Sequence, residues 1–181
     1  WSEIELRAAE GRPFELDEVE TILSQTLAAL EAAHERQIVH RDIKPENIML
    51  HMVPGHGLFV KVLDFGLAKF SEDQRMTSML LGTPAYMAYE QLVRSPLGPW
   101  TDLYALGVLA FELLTGKRPY GGGGVQEILA LKLDHGFDPW SRVAAQGFPH
   151  ELRVFIAHAM ARESEARYTS APEFREALKR V

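Results

Sequence analysis

Positions 40–47 read HRDIKPEN, and positions 64–66 read DFG, seventeen residues after Asn47. A short apolar run precedes each motif, which predicts two loop tips that follow neighbouring strands. Asp42, Asn47 and Asp64 would therefore lie close together. Carboxylate and amide oxygens suit Mg²⁺, which takes one or two carboxylates, substrate phosphates and water. The spacing predicts a site for a divalent cation and a phosphate, at which Asp42 can accept or orient a hydroxyl proton.

The stretches on either side of these motifs predict a mainly α fold. Apolar residues recur every three or four positions over 17–33, which gives a helix one face for a core. Asp17 and Glu20 resemble a capping box at its start. Residues 102–114 are apolar nearly all round, as expected for a central buried helix. Further helices are predicted over 125–133, over 152–160 and from Ser170 onward.

Between these helices the pattern predicts short strands and one long loop. Strands are expected at 38–39, 48–50 and 59–63, the last two separated by a turn at 54–57. Residues 71–101 lack sustained periodicity and contain several glycines and prolines, which predicts a long loop. Loops of this length in a compact domain are usually functional. The predicted order is a helix, a small β cluster that carries the two motifs, a long loop and four helices.

Composition excludes several classes of function. The chain has 181 residues, of which 46% are apolar, and this suffices for a real core. Acidic residues number 25 and basic residues 19, giving a net charge of -6, so nucleic acid is not an expected partner. The lack of cysteine fits a reducing compartment, and we expect a cytoplasmic location. The most apolar stretch, 103–114, is too short to span a bilayer, so no membrane segment is expected in this chain.

In order and spacing, the two motifs resemble the catalytic loop and the metal-binding motif of the protein kinase superfamily. Either motif alone is a weak signal, since a lone His-Arg-Asp is more often a solvated turn, but the joint occurrence is specific. The resemblance covers nearly the whole chain and indicates the C-terminal lobe of a eukaryotic-like, Hanks-type Ser/Thr protein kinase of bacterial style. It implies one partial kinase domain over 1–181, with a catalytic loop at 40–47 and an activation segment at 64–90.

The resemblance implies roles for residues of both motifs. Asp42 would be the catalytic base, and Lys44 would steady the transferred γ-phosphoryl group of ATP. Asn47 and Asp64 would hold Mg²⁺ or Mn²⁺ and, through the metal, the nucleotide. Met49 would form the apolar floor beneath adenine, although the alternative of a core methionine is open.

Two features resemble Ser/Thr kinases rather than tyrosine kinases. Lys44 lies two residues past Asp42, in a stretch where tyrosine kinases typically place Ala-Ala-Arg. Thr83, within GTPAY at 82–86, would bond Asp42 and Lys44 with its hydroxyl behind the substrate site. The implied reaction is transfer of the ATP γ-phosphoryl group to Ser or Thr hydroxyls of protein substrates.

Other matched residues resemble structural positions of the family. His40 and Phe65 are similar to the stacked internal spine of active kinases, and Gly66 completes the DFG motif. The Asp102 carboxylate would accept hydrogen bonds from the backbone N–H groups around His40 and Arg41. These residues would therefore hold the catalytic loop in place without touching a substrate.

The resemblance is incomplete in two places. Glu90 and Arg167 resemble the ion pair that closes the activation segment, but Tyr89 stands where the family usually has proline, which predicts a looser substrate-facing loop. The small lobe is absent, with no Gly-rich phosphate loop, strand lysine or hinge. Because the chain also begins at Trp1, we expect a piece of a longer protein, which alone binds ATP weakly and transfers phosphate poorly.

A regulatory site is predicted within the activation segment. Arg41 lies immediately before Asp42, where kinases controlled by phosphorylation of this segment place a cation. Thr77 and Ser78 lie four to six residues before the GTPAY stretch, so a phosphate on either is predicted to pair with Arg41 and order the segment. The alternative is that both are plain loop hydroxyls.

Two other classes of function stay open from the sequence. A kinase-like scaffold would bind partners through the helices after Val125, which Tyr89 and the missing small lobe favour. A small-molecule phosphotransferase shares the Asp-to-Asn loop but usually lacks the GTP platform at 82–84. The complete catalytic set favours the protein kinase, and consists of Asp42, Lys44, Asn47 and Asp64.

Overall fold

Seven helices and one two-stranded sheet make up the part of the chain that the computed structural model describes, which comprises residues 3–65, 84–120, 124–143 and 147–181. The helices are α1 (Glu3–Ala9), α2 (Leu16–His34), α3 (Tyr89–Val93), α4 (Pro99–Thr115), α5 (Val125–Leu133), α6 (His150–Ala159) and α7 (Ala171–Leu178). The strands are β1 (Ile48–Val53) and β2 (Gly57–Val62). Short 3₁₀ turns cover Pro45–Asn47, Pro84–Tyr86, Pro139–Arg142 and Ser164–Ala166. The predicted mainly α fold with a small β cluster is confirmed.

Helix α4 is the centre of the core, as its composition predicts. Every residue from Thr101 to Leu114 is buried, and α1, α2, α6 and α7 all pack against this helix. Two glycines permit close packing around it. A side chain at Gly107 would lie 2.7 Å from the Ala159 Cβ of α6, and Gly116 ends α4 with φ of 66° directly against the backbone of Gly11. None of the described helices is long and apolar enough to cross a membrane.

Helix α2 is amphipathic and supports the strands. Its apolar face, from Val19 to Leu30, is buried against β2, α4 and α7. The predicted capping box of Asp17 and Glu20 is wrong, because the helix already begins at Leu16. The Glu18 carboxylate instead accepts a hydrogen bond of 3.0 Å from the Glu15 N–H. The three-residue spacing of a capping box is preserved, but two positions earlier in the chain.

Strands β1 and β2 form an antiparallel hairpin in which Ile48 pairs with Val62 and Val53 pairs with Gly57. The third predicted strand, at 38–39, is absent from the described residues. Instead, the Gln25 side chain on α2 bonds the edge of β2, donating to the Leu58 carbonyl and accepting from the Val60 N–H, both at 2.8 Å. A helix side chain thus satisfies the backbone groups that a neighbouring strand would otherwise pair.

The long loop predicted at 71–101 is partly wrong. Residues 71–83 lie outside the described residues, but the remainder contains the turn Pro84–Tyr86, helix α3 and the first residues of α4. Gly98 and Pro99, read as loop residues, are the N-cap and first residue of α4. Proline is tolerated at that position because the first turn of a helix needs no N–H donor there. Helix α3 has only five residues, too few for a periodic pattern in the sequence.

Candidate active site

The catalytic-loop backbone is fixed by one buried carboxylate at the start of α4. The Asp102 oxygens accept hydrogen bonds from the His40 N–H at 2.8 Å and the Arg41 N–H at 2.7 Å, as predicted. His34 Nε2 also lies 2.8 Å from Asp102 Oδ2, a contact that the sequence analysis missed. Arg41 has φ of 70°, a strained conformation for a non-glycine residue, and these bonds hold it there.

Asp42, Lys44 and Asn47 meet at the surface end of this loop. The Lys44 Nζ lies 2.9 Å from Asp42 Oδ2. The Asn47 amide nitrogen donates to the Asp42 carbonyl at 2.7 Å and to Asp42 Oδ2 at 3.0 Å. Asn47 is buried, whereas the Asp42 side chain is 41% exposed. Asp42 is therefore oriented by two donors and still accessible to a substrate hydroxyl.

The DFG stretch begins beside the catalytic loop. The Leu63 N–H donates to the Asn47 carbonyl at 2.9 Å, and the Leu63 carbonyl lies 2.7 Å from His40 Nε2. Asp64 follows with φ of 60° and an exposed side chain. The Phe65 ring meets the His40 ring edge-on, with centroids 4.8 Å apart. Of the remaining predicted site residues, Gly66, Thr77, Ser78 and Thr83 lie outside the described residues.

The oxygen ligands at this site suit a metal ion that is bound together with a phosphate. Among the described residues, no three His, Cys, Asp or Glu side chains are grouped so that they could hold a metal. Asn47 and Asp64 offer two oxygen ligands on adjacent backbone segments. Mg²⁺ commonly takes one or two protein ligands and completes its shell with substrate phosphates and water. These two residues would hold such an ion together with a nucleotide.

Met49 lies on the outward face of the hairpin, beside the catalytic loop. Its side chain is 49% exposed, whereas the preceding Ile48 is fully buried. Because β-strand side chains alternate between faces, Met49 points away from the core that Ile48 joins. The alternative of a core methionine is therefore wrong, and a role beneath adenine stays a prediction.

Glu90 and Arg167 form the ion pair that was predicted from their positions. The two guanidinium nitrogens donate to the two carboxylate oxygens at 2.9 Å each, and both side chains are almost completely buried. Thr101 Oγ1 donates to the same carboxylate at 2.9 Å. Arg167 also donates to the carbonyls of Ala161 and Arg162, so the charge of the pair is well satisfied.

Two neighbours of Glu90 have roles that the sequence analysis missed. Gln91 accepts a hydrogen bond of 2.8 Å from the Ala88 N–H and donates one of 2.9 Å to the Arg41 carbonyl, which ties α3 to the catalytic loop. Tyr89 stands in place of the family's proline, and the Arg162 guanidinium stacks 4.0 Å from the centre of its ring. The looser substrate-facing loop that Tyr89 predicts stays a prediction.

A second buried polar cluster lies under the turn Pro84–Tyr86. The Tyr86 hydroxyl donates to the Glu112 carboxylate, which also pairs with Arg118 at 3.0 Å. Burial raises the pKa of the Tyr86 hydroxyl well above its ordinary value. Burial likewise raises the pKa of the Glu112 carboxyl, and the attraction of Arg118 and the bond from Tyr86 oppose this shift only partly.

Comparison with known proteins gives a consistent picture. The profile of the protein kinase domain family matches residues 3–180. The serine/threonine-protein kinase Pkn1 of Myxococcus xanthus is 42% identical over 177 residues, which are 96% of this chain and 25% of that protein. The serine/threonine-protein kinase PknL of Mycobacterium tuberculosis is 37% identical over 155 residues, 84% of this chain and 38% of that protein. The chain thus spans well under half the length of these relatives.

The fold is also that of a solved kinase structure. The crystal structure of the Mycobacterium tuberculosis PknI kinase domain matches with a TM-score of 0.71, over 99% of this chain and 61% of that one. Sequence identity between the two is 22%, so this likeness concerns the fold alone.

Proposed function

Because this chain belongs to the protein kinase domain family, we propose that the protein containing it transfers the ATP γ-phosphoryl group to Ser or Thr hydroxyls of protein substrates. The observation that carries the proposal is the orientation of Asp42 by Lys44 and Asn47, on a loop bonded directly to the segment that bears Asp64. The names of the two relatives, both serine/threonine kinases, support the same substrate class.

In the proposed reaction, the substrate hydroxyl oxygen bonds the γ-phosphorus of ATP while the bond from that phosphorus to the β–γ bridging oxygen breaks, so that ADP leaves. Asp42 accepts the proton of the attacking hydroxyl. The Lys44 ammonium, 2.9 Å from Asp42, offers positive charge to the phosphoryl group as it moves between oxygens. Asn47 and Asp64 would hold Mg²⁺ or Mn²⁺, which neutralises the phosphate charge when it is bound. Phosphoryl transfer depends mostly on such positioning and on electrostatic stabilisation.

The surroundings of the proposed protein are inferred from composition. The net charge of -6 argues against nucleic acid as a partner, so the expected partners are ATP and proteins that carry Ser or Thr. The lack of cysteine supports a reducing compartment such as the cytoplasm. A role in signalling follows from the proposed reaction.

The two alternatives receive less support. A scaffold without activity does not require Asp42, Lys44, Asn47 and Asp64, yet all four are present and the relatives are named kinases. The contact of Arg162 with Tyr89 also weakens the argument that was drawn from the missing proline. The names of the same relatives argue against a small-molecule phosphotransferase.

Replacing Asp64 by asparagine in the full-length protein tests the proposal. Asp64→Asn removes a charged metal ligand, and asparagine tolerates the positive φ at this exposed position, so phosphate transfer should be abolished without loss of the fold. We would measure transfer from labelled ATP to casein at saturating Mg²⁺, and follow thermal unfolding by circular dichroism. Asp17→Asn, on the exposed start of α2, is the matched control. Equal rates of phosphate transfer in the wild type and Asp64→Asn would refute the assignment of Asp64 as a metal ligand, and no transfer by the wild type would refute the proposed function.

A further inference from the structure

Lys132, in the last turn of α5, is a buried lysine that the proposed reaction does not use. It is 6% exposed. Its Nζ donates to the Met87 carbonyl at 2.7 Å and to the Tyr104 hydroxyl at 2.9 Å. The same ammonium lies 3.9 Å from the centre of the Tyr120 ring and 4.8 Å from that of Tyr104. A carbonyl, a hydroxyl and two aromatic faces therefore surround one cation.

Burying a lysine side chain in this environment costs free energy. Within the described residues no carboxylate pairs with its ammonium, and burial together with the nearby Arg167 lowers the pKa of Lys132 well below its ordinary value, with Glu90 opposing weakly. An apolar side chain of similar size would fill the same space without that cost. A buried lysine that donates to a backbone carbonyl and to a hydroxyl at this cost points to a role in positioning its partners rather than in stability.

The group that Lys132 holds is a backbone carbonyl in the segment that the resemblance to kinases places on the substrate side. Met87 lies between the turn Pro84–Tyr86 and α3, and its N–H donates to the Pro84 carbonyl. On the far side of Met87, Gln91 bonds the Arg41 carbonyl next to the catalytic Asp42. The Met87 backbone is thus held by Lys132 of α5 and continues into α3, whose Gln91 bonds the catalytic loop.

We propose that Lys132 is a positioning residue that fixes the Met87 backbone and, with it, the surface on which the protein substrate rests. This inference rests on the proposed kinase function, because it assigns the segment from Pro84 to Ala88 to the peptide and not to ATP. The described contacts of Lys132 are with Met87, Tyr104 and Tyr120, none of which is a predicted metal ligand. Loss of Lys132 should therefore affect the two substrates differently.

The first test separates the two substrates kinetically in the full-length protein. Lys132→Met should raise the KM for a peptide substrate by about fivefold or more, while the KM for ATP stays within about twofold. Lys117→Met, at an exposed lysine after α4, is the matched control and should change neither constant. An unchanged peptide KM, or equal rises in both KM values, would overturn the positioning role.

Tyr104→Phe provides a second variant in case Lys132→Met does not fold. It removes one acceptor of the Lys132 ammonium and keeps the aromatic face, so a smaller rise in the peptide KM is expected, again with the KM for ATP unchanged. If the peptide KM of this variant equals that of the wild type, the bond network around Lys132 does not position the substrate.

Hydrogen exchange tests the contact independently of activity. In Lys132→Met, amide exchange in a peptide covering residues 84–93 should accelerate by about tenfold, while exchange in α7 stays unchanged. Uniform acceleration would indicate general destabilisation, and no acceleration would mean that Lys132 does not restrain the segment; either result overturns the inference. If the wild type transfers no phosphate at all, the proposed function fails, and the exchange result alone decides whether Lys132 restrains Met87.

Discussion

At the scale of single residues, Asp102 shows how one side chain organises a site that it does not enter. Its carboxylate bonds two consecutive backbone N–H groups, of His40 and Arg41, and the His34 ring on α2. A carboxylate that accepts several hydrogen bonds in a buried position favours one backbone conformation strongly. The loop that carries Asp42 is therefore fixed by the start of α4 and the end of α2.

Arg41 is the residue for which we predict a regulatory role. Its backbone is fixed by Asp102 and Gln91, yet its side chain is exposed and has no acidic partner within the described residues. A phosphate on Thr77 or Ser78 would add about 1.5 to 2 negative charges and strong acceptors for this cation. We therefore expect the active full-length protein to carry a phosphate on one of them.

The double replacement Thr77→Ala with Ser78→Ala should lower activity about fivefold or more, because the activation segment then lacks the pairing with Arg41. Mass spectrometry of the active protein identifies the modified residue, and turnover of the double variant gives the effect. Ser71→Ala, in the same segment, is the control. Unmodified hydroxyls together with undiminished turnover would show that Thr77 and Ser78 are plain loop residues.

The sequence could predict those site residues that belong to motifs. Matched positions along the chain predicted the hydrogen bonds of Asp102 to two backbone N–H groups. They also predicted the ion pair of Glu90 with Arg167. His34 and Gln91 were missed because their contacts depend on how α2 and α3 face the catalytic loop. One signal was present, since His34 is a polar residue at the end of an apolar helix face, six residues before His40.

At the scale of elements, the sequence predicted those helices whose burial determines their pattern of apolar residues. It failed for elements whose position depends on contacts with other elements. Helix α4 is apolar on all sides because it is buried on all sides, so its position could be read directly. Helix α3 was missed because its five residues are held by the Glu90 ion pair rather than by their own periodicity. No strand forms at 38–39, and the edge of β2 is bonded instead by the Gln25 side chain of α2.

The ion pair between Glu90 and Arg167 should hold α3 in place, and a double-mutant cycle can measure this. Arg167→Ala leaves Glu90 buried without its partner and should lower the free energy of unfolding by about 3–5 kcal/mol. Combining Glu90→Gln with Arg167→Met should recover much of that loss, because no charge is then left unpaired. Urea denaturation of the single and double variants gives the coupling.

An exposed pair supplies the control for this cycle. Arg12 and Glu10 also form an ion pair, but their side chains are 56% and 47% exposed, so Arg12→Ala should cost less than about 1 kcal/mol. If the effects of the changes at Glu90 and Arg167 simply add, the two side chains do not interact energetically in solution.

At the scale of the whole molecule, two buried ionisable groups in the described residues connect the core to the turn Pro84–Tyr86 and Met87. The Glu112 carboxylate on α4 accepts a hydrogen bond from the Tyr86 hydroxyl, and the Lys132 Nζ on α5 donates one to the Met87 carbonyl. Both groups are at least 94% buried. Burial raises the pKa of Glu112 and lowers the pKa of Lys132, and both shifts favour the neutral form of the side chain. The segment before α3 is thus attached to the core through groups whose charge depends on pH.

The raised pKa of Glu112 gives a stability effect of definite sign. Between the ordinary carboxyl value of 4.5 and the raised folded value, the folded state binds more protons than the unfolded state. The contribution of Glu112 to stability is therefore fully present below pH 4.5 and is lost as the pH rises through the folded pKa. Glu112→Gln cannot titrate and removes this dependence while keeping the size of the side chain.

We expect the difference in unfolding free energy, wild type minus Glu112→Gln, to decrease as the pH rises from about 4.5 to about 7.5. Urea denaturation at about four pH values in this range measures it, and taking the difference between variants cancels the titration of carboxylates that do not interact with Glu112. Glu35→Gln, at the exposed end of α2, is the matched control for the loss of one carboxyl group outside this cluster. A difference for Glu112→Gln that stays constant or increases with pH would show that the pKa of Glu112 is not raised in the folded protein.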